Sequence, residues 1–182
     1  MQGDRLAAAE ARRALGPPHR RLDPAKRWLA TVTTNCGSFS ILLDVRHSPK
    51  TTASFAALAR RGYFDRTVFH RIVPDFVIQG GDPTQSGAGG PGYTTVERPP
   101  PTLRYVRGIV AMAKTPTEAA GTAGSQFFVV TAADARLPPV YAVLGRVVKG
   151  DAVAAAIGRL GNPATEQPTE PIVISRLRVA AG

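Results

Sequence analysis

From Trp28 onward the chain alternates short apolar runs with clusters of turn-forming residues, the pattern of many brief strands. Trp28–Thr33 and Phe39–Val45 flank Asn35-Cys36-Gly37-Ser38, which predicts two antiparallel strands joined by a tight turn. Ser48-Pro49-Lys50-Thr51-Thr52 then opens a helix. Proline suits its first turn, Phe55, Leu58 and Ala59 share a face at i, i+3, i+4, and Gly62 ends it. Further strands are predicted at 68–73, 108–113, 127–131, 143–148 and 172–179, and a second helix over Asp151–Leu160 stops before Gly161-Asn162-Pro163. Many short strands with only two helices imply an all-β architecture, a closed barrel with helical plugs.

Composition narrows the class further. With 182 residues, 43% hydrophobic and 20% charged, the chain can bury a sizeable core as one domain without staples. A single cysteine, Cys36, excludes an internal disulfide and has no zinc-site spacing. No apolar run approaches the roughly 18 residues of a membrane-spanning helix, so no membrane partner is expected. The first 27 residues differ from the rest, being rich in Ala and Arg and broken by Gly16-Pro17-Pro18. Residues 1–27 therefore form a basic extension, with helix formers over Leu6–Leu15, and 28–182 form the folded domain. The extension lacks the apolar core of a secretory signal. It reads as solvated or loosely docked, or as a helix that packs on the domain or meets an acidic partner. The lone cysteine and the missing signal predict a cytoplasmic protein, a monomer. Nineteen Arg against four Lys and the plain architecture predict a bacterial source.

Net charge is +10, from 23 basic and 13 acidic side chains, which permits attraction to nucleic acid. The charge is scattered apart from short pairs such as Arg12-Arg13 and Arg60-Arg61, and no aromatic-interleaved platform accompanies it, so nucleic-acid binding as the main function is not supported. Gly87-Ala88-Gly89-Gly90-Pro91-Gly92 matches a dinucleotide fingerprint only literally, because neither a strand precedes it nor a helix follows. His19, His47 and His70 are far apart and support no metal site. Gly124-Ser125-Gln126 is no nucleophile elbow.

The segment Val68-Phe69-His70-Arg71-Ile72-Val73-Pro74-Asp75-Phe76-Val77-Ile78-Gln79-Gly80-Gly81-Asp82 stands apart. Simple strand alternation would place Arg71 on one face with Phe69 and Val73. An arginine among hydrophobes must be ion-paired, exposed at a cleft, or functional. Together with Gly108-Ile109-Val110-Ala111-Met112-Ala113 and Gly124-Ser125-Gln126-Phe127-Phe128-Val129-Val130-Thr131, in this order and spacing, the segment resembles the cyclophilin family of peptidyl-prolyl cis-trans isomerases over about 28–179. That resemblance implies a closed eight-stranded antiparallel β-barrel capped by two α-helices.

The resemblance also implies a site. The family's catalytic arginine matches Arg71 and its glutamine partner Gln79. Phe76, Val77, Phe128 and Leu137 match the pocket for the substrate proline, Ala113-Lys114 the substrate-backbone contact, and Gln126 another substrate-side polar residue. Arg136 stands where cyclosporin-sensitive members carry Trp, and Tyr141 where they carry His. An arginine reproduces neither the apolar face nor the N–H donor of an indole, so weak cyclosporin binding is expected, whereas Tyr141 keeps an aromatic wall. The implied activity is rotation of X-Pro bonds in peptides and in unfolded or folding proteins, needing no cofactor. Strand alternation puts Phe127 and Phe128 on opposite faces, so that one can fill the barrel while the other lines the groove. Two other readings stay open: a proline-peptide binding module or chaperone with low turnover, and a basic interaction protein acting through its extension.

Overall fold

The computed structural model describes residues 16–182; the predicted helix over Leu6–Leu15 lies outside them. Ten strands and two helices follow in chain order: β1 (Trp28–Thr34), β2 (Gly37–Leu43), α1 (Pro49–Arg60), β3 (Thr67–Val73), β4 (Val77–Gly80), β5 (Thr95–Val96), β6 (Ile109–Met112), β7 (Thr122–Ala123), β8 (Phe127–Val130), β9 (Val143–Lys149), α2 (Asp151–Gly158) and β10 (Val173–Ala181). Eight of the strands close a barrel in the order β1-β10-β3-β4-β8-β6-β9-β2, all neighbours antiparallel, and β5 pairs with β7 outside it. Closure leaves the barrel without a free sheet edge. All the strands predicted from pattern are present, and the barrel's eighth is β4.

β4 is invisible to pattern because only Val77 and Ile78 of its residues are apolar and it follows its partner after one turn. Pro74 leads that turn, Asp75 takes a left-handed φ of 53°, and the Phe76 N–H donates to the Val73 carbonyl (3.1 Å). At the far end of β4, Gly81 has φ 88°, and a Cβ there would stand 2.5 Å from the Ser125 carbonyl oxygen. Only glycine lets the chain leave the strand so close to its neighbour.

Inward side chains fill the barrel. Phe69 and Phe127 meet edge to face at 6.0 Å, and Phe55 of α1 enters from one end, edge-on to Phe127 at 5.5 Å. Phe55, Leu58 and Ala59, the predicted face of α1, are all buried, and Ala154 and Ile157 of α2 join the same core. Leu22, before the first strand, is also buried in this core, and Asp23 accepts the Trp28 indole N–H on its carbonyl at 3.0 Å. The last residues of the predicted extension therefore dock on the domain.

A second apolar cluster lies outside the barrel wall. Val77, Ala111, Phe128 and Val130 form its floor, and Tyr105 from the 99–108 loop is buried over it. β8 is buried at all four positions because Phe127 and Val129 face the barrel while Phe128 and Val130 face this outer cluster. The two phenylalanines divide as alternation predicts.

Candidate active site

The site forms where β3, β4, β8 and β6 lie side by side, and a bulge in β3 sets it up. Phe69 pairs with Gly80 but Arg71 pairs with Gln79, so His70 is an extra residue on the β3 side. The insertion shifts the alternation: Phe69 and Ile72 are both fully buried in the barrel, and Arg71 is turned outward. The face shared by Phe69, Arg71 and Val73 that simple alternation predicts is therefore not formed. Burial pushes the bulged His70 imidazole below its ordinary pKa, leaving it mostly neutral at pH 7.

Strand pairing then lays out the row. Arg71 lies opposite Gln79, Gln79 opposite Phe128, and Phe128 opposite Ala111. Arg71 donates from Nη1 to Gln79 Oε1 (3.4 Å), Gln79 donates from Nε2 to Gln126 Oε1 (3.1 Å), and Gln126 donates to the carbonyls of Gly87 and Gly89 (2.9 and 3.0 Å). On its other side the guanidinium donates from Nε to Glu166 Oε2 at 2.7 Å. The arginine is thus both ion-paired and exposed at a cleft, and its Nη2 has no partner among the described residues.

Beside Arg71 lies a depression of about 280 Å³, lined by Phe76, Val77, Phe128, Leu137 and Tyr141, with Gln79, Ala113 and Lys114 at its edge. Its walls are tied together. The Tyr141 ring stands edge-on to Phe128 at 5.4 Å, and the Tyr105 hydroxyl grips the Tyr141 backbone, donating to its carbonyl (2.6 Å) and accepting its N–H (2.9 Å). Lys114 is tethered: its ammonium donates to the Thr115 and Glu118 carbonyls (2.8 and 2.9 Å) and lies 5.9 Å from the Tyr141 ring centre.

A wider, more polar depression of about 510 Å³ adjoins it, sharing Gln79, Ala113 and Lys114 and adding Gln126, Glu118 and the 87–94 loop. Asp82 builds that loop, accepting from the Thr84, Gly87 and Gly89 N–H groups at 2.7, 2.6 and 3.1 Å. Burial opposes the Asp82 charge, but the hydrogen bonds from Thr84, Gly89 and Gly87 outweigh it and hold the carboxyl below the usual range. The glycine-rich segment is a loop, as its sequence context predicts.

All the sequence-predicted site residues except Arg136 line one of these two depressions. Arg136 lies on the 132–141 loop with φ 52°, exposed, its N–H donating to Asp134 Oδ1 at 2.9 Å. Glu166 is the site neighbour that sequence reasoning missed, lying 95 residues from Arg71. Among the described residues no group of three His, Cys, Asp or Glu side chains could hold a metal.

The fold and site together make a closed antiparallel β-barrel with an apolar depression in its outer wall, edged by an arginine whose Nη2 has no partner among the described residues. The model of the cyclophilin type peptidyl-prolyl cis-trans isomerase family matches residues 29–179. Among relatives, peptidyl-prolyl cis-trans isomerase-like 1 of Neurospora crassa is 40% identical over 152 residues, covering 81% of this chain and 91% of the relative. Peptidyl-prolyl cis-trans isomerase A of Mycobacterium tuberculosis is 34% identical over 169 residues, covering 83% and 91%. A crystal structure of a Cryptosporidium parvum cyclophilin type peptidyl-prolyl cis-trans isomerase, in the presence of the dipeptide Ala-Pro, superposes with a TM-score of 0.77 at 30% identity, covering 85% of this chain and 99% of that one. The chain belongs to the cyclophilin-type peptidyl-prolyl cis-trans isomerases, enzymes that rotate X-Pro peptide bonds. Relatives come from fungi, a plant and mycobacteria, so the similarity is not confined to bacteria.

Proposed function

We propose that Arg71 is the central catalytic residue, that Gln79 holds it, and that proline-containing peptides lie across the two depressions with the proline ring between Phe76, Val77, Phe128, Leu137 and Tyr141. The observation that carries this reading is the placement of the Arg71 guanidinium, fixed through Nε and Nη1, at the lip of a ring-sized apolar pocket. Peptide-bond rotation faces a barrier of roughly 18–20 kcal/mol that comes from amide resonance, and no bond breaks. A donor on the prolyl nitrogen lone pair, or on the neighbouring carbonyl, is worth more when the amide is twisted than when it is planar. The free Nη2 of Arg71 supplies such a donor, always charged and in fixed geometry. The pocket holds the ring while the rest of the peptide turns, and keeps water from the amide. Lowering the barrier by about 7 kcal/mol gives a rate gain of roughly 10⁵-fold.

Gln126 and the Ala113-Lys114 backbone border the polar depression, which supports their role in receiving the residues beside the proline. Unfolded and folding chains, with their exposed X-Pro bonds, are the protein substrates this reading implies. The low-turnover binding module is not favoured, since the relatives bear the names of isomerases.

The test is cis-to-trans exchange of an Ala-Pro-Phe peptide at low temperature. Arg71→Ala should lower kcat/KM by roughly 10²-fold or more, the loss typical for one transition-state donor, while the melting temperature stays near that of the parent. An Arg71→Ala protein with parental turnover would falsify the assignment. Exposed Arg136, in place of an indole, supports weak cyclosporin binding; a nanomolar Kd by calorimetry would contradict it.

A further inference from the structure

Glu166 sits in the loop between α2 and β10, and the backbone there is built rather than draped. Gly161 opens the loop against β3 so closely that a Cβ would collide with the Ile72 carbonyl oxygen. Asn162 closes it on itself: its N–H donates to the Gln167 carbonyl (2.8 Å), its carbonyl accepts the Glu166 N–H (2.8 Å), and its side-chain oxygen accepts the Ala164 N–H (2.9 Å). The Glu166 carbonyl in turn accepts the Ile72 N–H at 2.8 Å. β10 pairs with β3 only at Val68 and Thr67, so this loop takes over as the backbone partner of β3 next to Arg71.

Glu166 itself has φ 57°, a left-handed conformation that costs a non-glycine residue roughly 1 kcal/mol or more. A turn position that favours Gly or Asn instead carries a half-buried glutamate whose carboxylate meets Arg71 Nε at 2.7 Å. Gln79 holds the guanidinium at 3.4 Å through one bond to an uncharged acceptor, long for such a bond and a weak restraint on its plane by itself. The charge-assisted bond to Glu166 is the shorter and stronger of the two clamps.

From this geometry we propose that Glu166 is a positioning residue for catalysis: its carboxylate locks the Arg71 guanidinium plane from the Nε side, so that Nη2 is aimed at the twisting prolyl amide. The inference rests on the catalytic reading of Arg71. Because the carboxylate acts through the arginine and touches no reacting atom, its removal should fall on kcat and leave KM nearly unchanged.

The experiment measures isomerisation kinetics together with the NMR signal of the Arg71 Nε–H in Glu166→Ala, Glu166→Gly and Glu166→Gln. Glycine relieves the positive φ, so Glu166→Gly removes the carboxylate without strain and guards against a folding defect. Both deletions should lower kcat about tenfold, the scale on which small misplacements act, with KM within about twofold, and should cost the Nε–H its protection from exchange. Gln keeps an acceptor oxygen and should restore most of kcat and of the protection. Parental kcat in both deletions, a loss of kcat while the Nε–H stays protected, or a loss that Gln fails to rescue would each overturn the proposal. Arg71→Ala separates the two readings: if it is inactive while Glu166→Gly is fully active, only the role of Glu166 fails. If Arg71→Ala itself turns over normally, the catalytic reading fails first.

Discussion

Two walls of the same barrel are built differently. In β1 and β10 the strands are seven and nine residues long, and only one face is covered: Ala30, Val32, Ile174 and Leu177 point into the core, while Thr31, Arg176 and Arg178 meet solvent. In β4, β6 and β8 the strands are four residues long, and the wall is covered on both faces, by the barrel core within and the Tyr105 cluster without. The first wall is a scaffold whose outer face meets solvent. The second has no spare face, and its outer apolar residues serve two ends at once, holding the 99–108 and 132–141 loops and flooring the pocket.

The sharpest way to break this comparison is to remove one phenylalanine from each side of β8. Phe127→Ala empties the point where Phe55, Phe64 and Phe69 converge, all fully buried, and should cost about 3–5 kcal/mol of stability. Phe128→Ala borders an open groove that water can refill and should cost nearer to 2 kcal/mol while raising KM severalfold. Urea unfolding and peptide kinetics on both variants check the division. Equal losses of stability, or an intact KM in Phe128→Ala, would mean that the two faces are one core.

The same contrast explains what was legible in the sequence. The long strands and both helices follow from periodicity, since one-sided burial writes an alternating code. The second wall writes none: Phe127-Phe128-Val129-Val130 is apolar throughout, so its strand shows but its two faces do not, and β4, with only Val77 and Ile78 apolar, does not show at all. The bulge at His70 has no periodic signature, and simple alternation consequently misplaced Arg71 relative to Phe69. Most of the pocket was named because its motifs resemble a family's. Glu166 belongs to none of those motifs, and Gly161-Asn162-Pro163 announced only a turn.

A smaller effect isolates the outer cluster. The Tyr105 hydroxyl is fully buried, and its two bonds to the Tyr141 backbone link that ring to the pocket rim in addition to packing. Tyr105→Phe leaves the Tyr141 N–H and carbonyl without this partner and should cost about 1–2 kcal/mol at pH 7. Burial pushes the Tyr105 phenol up to about 12 from 10.0, so the fold favours the neutral form. The stability this group contributes is therefore complete below about pH 10 and is lost as the pH climbs towards 12. Unfolding measured from pH 7 to pH 11 should show the gap between parent and Tyr105→Phe narrowing above pH 10. A constant gap would mean the hydroxyl is not held as described.

The smallest effect tests whether the two walls are coupled at all. Ser48 precedes α1 in sequence as an N-cap should, yet its side chain makes no cap bond. Glu97, 47 residues from Lys50, supplies the cap instead, its carboxylate accepting the Lys50 and Thr51 N–H groups at 3.1 and 2.9 Å. A negative charge at a helix N-terminus also complements the helix dipole. Glu97 is in turn fixed to the groove side, its N–H donating to the Gly121 carbonyl at 2.9 Å, at the end of the segment that carries Lys114 and Glu118. One residue thus joins the helix that plugs the barrel to the rim of the polar depression. Glu97→Ala should cost about 1 kcal/mol, the usual worth of an N-cap, and, if the scaffold and the site are as separable as their burial patterns imply, it should leave kcat/KM within about twofold of the parent. A loss of turnover larger than the loss of stability would show that the plug helix and the groove move together, and the distinction between a passive wall and a working one would have to be given up.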